Sequence, residues 1–168
     1  VLLWVRPLGL LNAQALPGTE GAYLPFWSPE SRALGFFAGG KLKKIELSGG
    51  PPLTLCETPL GLGGSWNRDG VIVFVPKWGV VHRIPDTGGA PTPVTTLDQS
   101  RQEQSHLWPS FLPDGRHFLY WAALTRSEGV MRVGSLETKE SKYLLAYCHY
   151  SHDIIGHRPA RPGRVSCQ

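Results

Sequence analysis

Phe111-Leu112-Pro113-Asp114-Gly115-Arg116-His117-Phe118-Leu119-Tyr120 is a turn signal followed by an apolar, aromatic run. Pro113 presets φ at the second position of a β-turn, Asp114 can accept hydrogen bonds from nearby backbone, and Gly115 takes the positive φ that ends the turn. Phe118 to Trp121 then reads as a short strand buried on both faces. The same phrase stands twice upstream. Trp27-Ser28-Pro29-Glu30-Ser31-Arg32 leads into Leu34-Gly35-Phe36-Phe37, and Trp66-Asn67-Arg68-Asp69-Gly70 leads into Val71-Ile72-Val73-Phe74. The aromatic that opens each phrase recurs after 39 and then 45 residues, the period of a propeller blade.

Working outward, the remaining strands fall into place around these turns. Residues 23–59, 63–99 and 105–146 each read as four strands, the count for one blade. Gly49-Gly50 and Gly88-Gly89, again 39 apart, supply the positive φ of a tight hairpin between third and fourth strands and set the register of the first two units. Residues 1–17 carry two strands, half a unit. The third unit has about six extra residues at 122–128, expected to enlarge a loop between its second and third strands on one face. The fold class expected is all-β, a partial β-propeller of about three and a half four-stranded blades followed by an irregular tail. Gly (20) and Pro (15) interrupt every stretch that could have carried a helical apolar period, so almost no helix is expected.

The tail, residues 147–168, has no turn-strand phrase. It is basic, with Arg158, Arg161 and Arg164 against Asp153, and reads either as disordered or as the product of a frameshift or chimeric junction near Tyr147. Cys148, His149, His152 and His157 have ligand chemistry but fit no zinc-finger spacing, so a chance cluster is the better reading and no metal is expected. Cys56, Cys148 and Cys167 are odd in number without a CxxC, which suggests no disulfide framework. The net charge of +4 has only Lys41, Lys43 and Lys44 as a basic cluster in the body, read as the solvent face of a strand. Nucleic acid is therefore not expected as a partner, and no apolar run reaches the length of a membrane span.

The aromatic, the Ser/Leu-Pro-Asp/Glu-Gly/Ser-Arg turn, the apolar strand and the third strand ending before Gly-Gly resemble the WD-repeat-like propeller repeat of the TolB family, over residues 1–146. Within it, Leu3-Trp4-Val5-Arg6-Pro7-Leu8, Leu16-Pro17-Gly18-Thr19-Glu20-Gly21, Pro25-Phe26-Trp27-Ser28-Pro29, Gly40 to Ile45 and Gly64 to Gly70 are most similar to the C-terminal propellers of bacterial receptor-type serine/threonine protein kinases. Ser31 and Arg68 depart from the motif, which prefers Gly and Pro there. The resemblance implies a non-catalytic module that binds a protein or envelope ligand, on the extracytoplasmic side if the parent is a receptor kinase. The sequence lacks the kinase glycine loop, catalytic loop and Asp-Phe-Gly motif, so neither kinase activity nor a nucleotide cofactor is expected of this chain. The alternative is a propeller fragment of an enzyme, a gated hydrolase or peptidase or a lyase, with its catalytic residues elsewhere.

Trp78 and Trp108, in loop-like surroundings, are the candidate exposed binding contacts, whereas the repeat-equivalent Trp27 and Trp66 are expected to pack between blades. His82, His106 and His117 read as core or rim histidines. Pro29, Asp69, Gly70, Pro113, Asp114 and Gly115 are expected to build the turns, with the carboxylates of Glu30, Asp69 and Asp114 at equivalent positions serving turn hydrogen bonds and not acid-base chemistry. Open blade faces predict self-association of the isolated chain.

Overall fold

The computed structural model describes residues 1–138, 140–149 and 166–167, and it is all-β apart from one 3-10 turn at Gln99–Arg101. A two-stranded sheet pairs β1 (Trp4–Val5) with β2 (Gln14–Ala15). Three antiparallel meanders follow. Blade 1 is β3 (Tyr23–Trp27), β4 (Ala33–Ala38), β5 (Lys41–Glu46) and β6 (Leu53–Glu57); blade 2 is β7 (Gly64–Trp66), β8 (Val71–Phe74), β9 (His82–Pro85) and β10 (Thr92–Pro93). Blade 3 is β11 (Ser105–Phe111), β12 (His117–Ala123), β13 (Glu128–Ser135) and β14 (Lys142–His149), with β15 (Ser166–Cys167) on its outer edge. The first strands touch in series, β3 against β7 and β7 against β11, so the sheets fan out from a common inner line as in a propeller.

Period-two alternation explains why the second strand of each blade is apolar throughout. In β4, Leu34, Phe36 and Ala38 pack with Leu16, Ala22 and Ile45 toward the half-blade, while Phe37 turns to the other side to meet Ile72, Phe74 and Ile84 of blade 2. In β8, Val73 turns away from Ile72 and Phe74 and, with Val75 and Val81, packs on Phe118, Tyr120 and Ala122 of blade 3. Each sheet thus contributes one side to each of two cores, and burying both faces requires a near-continuous apolar strand. The far face of blade 3 is different: Leu119 opposite Val133 and Trp121 opposite Met131 are only half-buried.

Several expectations change in detail. The additional residues of the third unit do not form a large loop. Ala122 and Ala123 extend β12, Glu128 opens β13, and only Leu124–Ser127 turn between them, closed by Leu124 and Thr125 N–H groups donating to the Glu128 carbonyl. The fourth strand of blade 2 shrinks to Thr92–Pro93, because Pro91 and Pro93 have no N–H to offer a ladder. The strand pattern also does not stop at Ala146. Strand β14 runs to His149, and β15 pairs with it in the backbone register Cys148 to Cys167 and His149 to Ser166. The rest of the tail reading, and the side chains of the Cys148, His149, His152 and His157 cluster, lie outside the described residues.

Candidate functional site

The connections fall on two faces. The turns from first to second strand lie on one, and the loops from second to third strand lie on the other, beside the start of each inner strand.

On the turn face, the residue after the aromatic closes the first two turns. Ser28 Oγ accepts from the Arg32 and Ala33 N–H groups at 3.1 and 3.0 Å. Asn67 Oδ1 accepts from the Asp69 and Val71 N–H groups at 3.1 and 2.8 Å, and its amide donates to the Gly115 carbonyl of the next turn at 2.7 Å. In the third turn Leu112 occupies this position and has no acceptor, so Asp114 takes the role. Its Oδ1 accepts from Arg116 and His117 N–H groups, both at 3.0 Å, and its Oδ2 lies 2.6 Å from His117 Nδ1. The His117 backbone bond, its ring and the Arg116 backbone bond hold the Asp114 carboxyl down to about 2. The expectation that all three carboxylates serve the turns is therefore met only by Asp114; where Ser28 and Asn67 cap the turn, Glu30 and Asp69 accept none of its backbone bonds. Gly70 (φ +71°), Gly115 (φ +69°) and Ser31 (φ +55°) take the same left-handed conformation, so the Ser departure is accommodated with strain. The hairpin glycines Gly49, Gly50, Gly88 and Gly89 have φ of +106°, +107°, +90° and +134°. Pro29 and Pro113 line a shallow hollow of about 310 Å³ between turns, with Trp66, Asn67, Arg68 and Gly115.

On the loop face, Trp78 and Trp108 meet. They are 47% and 41% exposed and, with Leu62, Gln104, Leu107 and Arg126, line a recess of about 560 Å³ between blades 2 and 3. That volume is within the range of small-molecule sites. Each wall is held by backbone. The loop carrying Trp78 is tied at one end where the Pro76 carbonyl accepts from Thr58 Oγ1 and Leu60 N–H, and at the other where Gly79 donates to Ser105 Oγ at 2.9 Å and accepts from His106 N–H at 2.6 Å. Trp108 N–H donates to the Leu62 carbonyl at 3.0 Å. Arg126 projects from the Leu124–Ser127 turn, which Thr125 Oγ1 braces by accepting from Ser127 and Glu128 N–H groups.

Trp108 sits in a β-bulge of β11 with φ +50°, and Leu24 sits in the equivalent bulge of β3 with φ +46°. Gly63 takes the same place in blade 2, with φ +103°. All three stand three residues ahead of the aromatic that opens the turn. A side chain at Gly63 would come within 2.9 Å of Trp108 Cα, so the glycine in blade 2 makes the room that the tryptophan of blade 3 occupies. A bulky residue held at positive φ costs on the order of 1 to 3 kcal/mol, which surrounding structure must offset.

Glu103 and His106, next in sequence to the lining residues Gln104 and Leu107, belong to a buried polar cluster that the sequence did not reveal. The Glu103 side chain is fully buried. It accepts from Asp98 N–H at 2.8 Å, from His106 Nε2 at 3.2 Å and from the Arg132 guanidinium. His106, also fully buried, accepts at Nδ1 from the Thr95 hydroxyl at 2.8 Å, and Thr95 Oγ1 in turn accepts from Val81 N–H. Burial pushes His106 below its ordinary value, against the pull of Glu103, so the imidazole is neutral near pH 7. Thr, His and Glu in this order have the sequence of nucleophile, base and orienting acid. All three are buried and none lines the recess, so the arrangement works as a structural tie from Thr95 after β10 through β11 to β13. The sequence trace was a Glu-x-x-His running into the inner strand β11, which has no distinctive meaning alone.

His106 is thus a core histidine, while His117 is exposed at its turn and His82 is half-buried against Phe74. Trp66 packs with the core between blades 1 and 2 and lies under Lys44 Nζ, 5.7 Å from the ring centroid. Trp27 departs from the packing expected of it and is 51% exposed. The Cys56 thiol is pushed up to about 11, chiefly by burial and then by Glu57, and stays protonated at neutral pH. No helix among the described residues is long and apolar enough to cross a membrane.

No family model matches the sequence, and no curated protein matches it. Solved structures do resemble the fold. A putative TolB from Agrobacterium tumefaciens superposes with a TM-score of 0.66 at 12% identity, over 90% of this chain and 63% of its own length. TolB from Acinetobacter baumannii gives a TM-score of 0.66 at 12% identity, over 85% of this chain and 37% of its own. The chain therefore spans less than two thirds of either structure. The element order, the fan of antiparallel sheets and these superpositions together establish the fold as part of a TolB-like β-propeller.

Proposed function

We propose that this chain is a non-catalytic binding module whose ligand site is the recess between blades 2 and 3. One observation carries the reading: two exposed indoles, separated by 30 positions in sequence, are brought to one apolar recess by a loop and a strand bulge pinned through their backbones, one of them at a strained φ. Exposed aromatic surface on a rigid frame binds with little ordering cost, and strain maintained at a non-glycine residue is characteristic of functional positions. The wording of the repeats supports a finer assignment, the sensor or interaction part of a bacterial receptor-type serine/threonine kinase, with catalysis in the parent protein and not in this chain.

The test uses the full chain with N-phenyl-1-naphthylamine, a neutral fluorescent probe of apolar sites. Saturable enhancement that is lost in Trp78→Ala is expected, with no binding of ATP by calorimetry. Enhancement unaffected by Trp78→Ala, or none at all, would remove the recess from the proposal, and saturable ATP binding would remove the non-catalytic assignment. A coding sequence with no kinase upstream and an α/β-hydrolase domain downstream would overturn the finer assignment alone.

A further inference from the structure

Resting on the recess reading above, we infer that the ligand is an anion: a carboxylate carried next to an aromatic or aliphatic body. Leu62, Leu107 and the two indoles provide the apolar walls, and among the described residues Arg126 is the charged member of the lining. Among the described residues no carboxylate forms an ion pair with Arg126, whereas Arg116 and Arg132 are matched with Glu137 and Glu103. The buried carboxylate of Glu103, next in sequence to the lining residue Gln104, is consumed by Arg132, His106 and the Asp98 N–H. The recess thus has a positive group at Arg126 and an amide donor at Gln104, and no carboxylate is among its described lining residues. A guanidinium grips a carboxylate through paired N–H donors, while the indoles take a flat or branched apolar body.

Such chemistry occurs at the free C-terminus of a peptide ending in an apolar residue and in a small aromatic acid, and three probes separate these sources. N-acetyl-phenylalanine has the carboxylate, N-acetyl-phenylalanine amide has the same body without the charge, and 3-phenylpropanoate has the acid without a peptide group. Titrating each into the full chain by calorimetry at low salt, we expect the acid to bind roughly two- to fivefold more tightly than the amide, the scale of one partly exposed charge pair. Arg126→Gln should abolish that preference, Trp78→Ala should weaken acid and amide together, and Arg68→Gln on the opposite face should change neither. Tighter binding of N-acetyl-phenylalanine than of 3-phenylpropanoate identifies a peptide terminus; equal binding identifies a free acid. Equal affinities for acid and amide, or a preference that survives Arg126→Gln, would overturn the anion inference while leaving the recess as a site. No binding of any probe, together with no response to N-phenyl-1-naphthylamine, would overturn both.

Discussion

The turn face and the loop face are built from the same repeated strands and differ in how their residues are determined. On the turn face each position answers to its own neighbours: Ser28, Asn67 and Asp114 accept backbone N–H groups no more than five residues away, and a loss at one position in the motif is made good at another. On the loop face the backbone repeats but the side chains do not. Leu24, Gly63 and Trp108 share a position in the repeat and a positive φ but present three different side chains, and Trp78 joins Trp108 in one recess from the loop between β8 and β9. The repeat builds a frame, and departures from the repeat make the site.

The largest test of this contrast is Glu103→Ala. It strands the Arg132 charge and the His106 N–H in a buried space, and about 3 to 5 kcal/mol of stability should be lost in urea unfolding. A loss below about 1 kcal/mol would mean that the buried cluster does not support the loop face. Next in size, Asn67→Ala removes the acceptor of two turn N–H groups and the bridge to Gly115 and should cost about 2 kcal/mol, whereas Asp69→Ala should stay within about 0.5 kcal/mol. Equal midpoints for these two would reverse the assignment of the cap. Gly115→Val should cost about 1 to 3 kcal/mol from backbone strain, since the nearest atom to an added Cβ is 3.8 Å away, while exposed His117→Ala changes little.

The loop face predicts an opposite sign. Because φ at Trp108 suits glycine, Trp108→Gly should be more stable than Trp108→Ala by about 1 kcal/mol, and both should lose probe binding. An alanine variant as stable as the glycine one would show that the bulge relaxes and stores no strain. The smallest effect is with pH. His106 has its folded value depressed, so between that value and about 6.5 the unfolded chain binds a proton that the folded chain does not. Its contribution to stability is therefore fully present above about pH 6.5 and is lost as the solution is acidified toward the folded value. The unfolding midpoint should drop from pH 7.5 to 5.5, and His106→Gln should flatten this dependence.

What the sequence alone determined is what local chemistry and period can express. Pro113, Gly70, Gly115 and the Gly-Gly pairs announce turns through φ, and the apolar runs 34–37, 71–74 and 118–121 announce strands buried on both faces, so three blades can be counted without coordinates. The capping residue was less legible, because Asp69 and Asn67 are both competent acceptors and only the turn geometry selects Asn67. What tertiary structure decided is everything that joins blades. Trp78 and Trp108 could be marked as loop tryptophans, but their place in one recess, the presence of Arg126 in the same lining and the burial of Glu103 between Arg132 and His106 depend on how sheets fan about the inner strands. Such contacts link residues tens of positions apart, and no spacing rule in the chain encodes them.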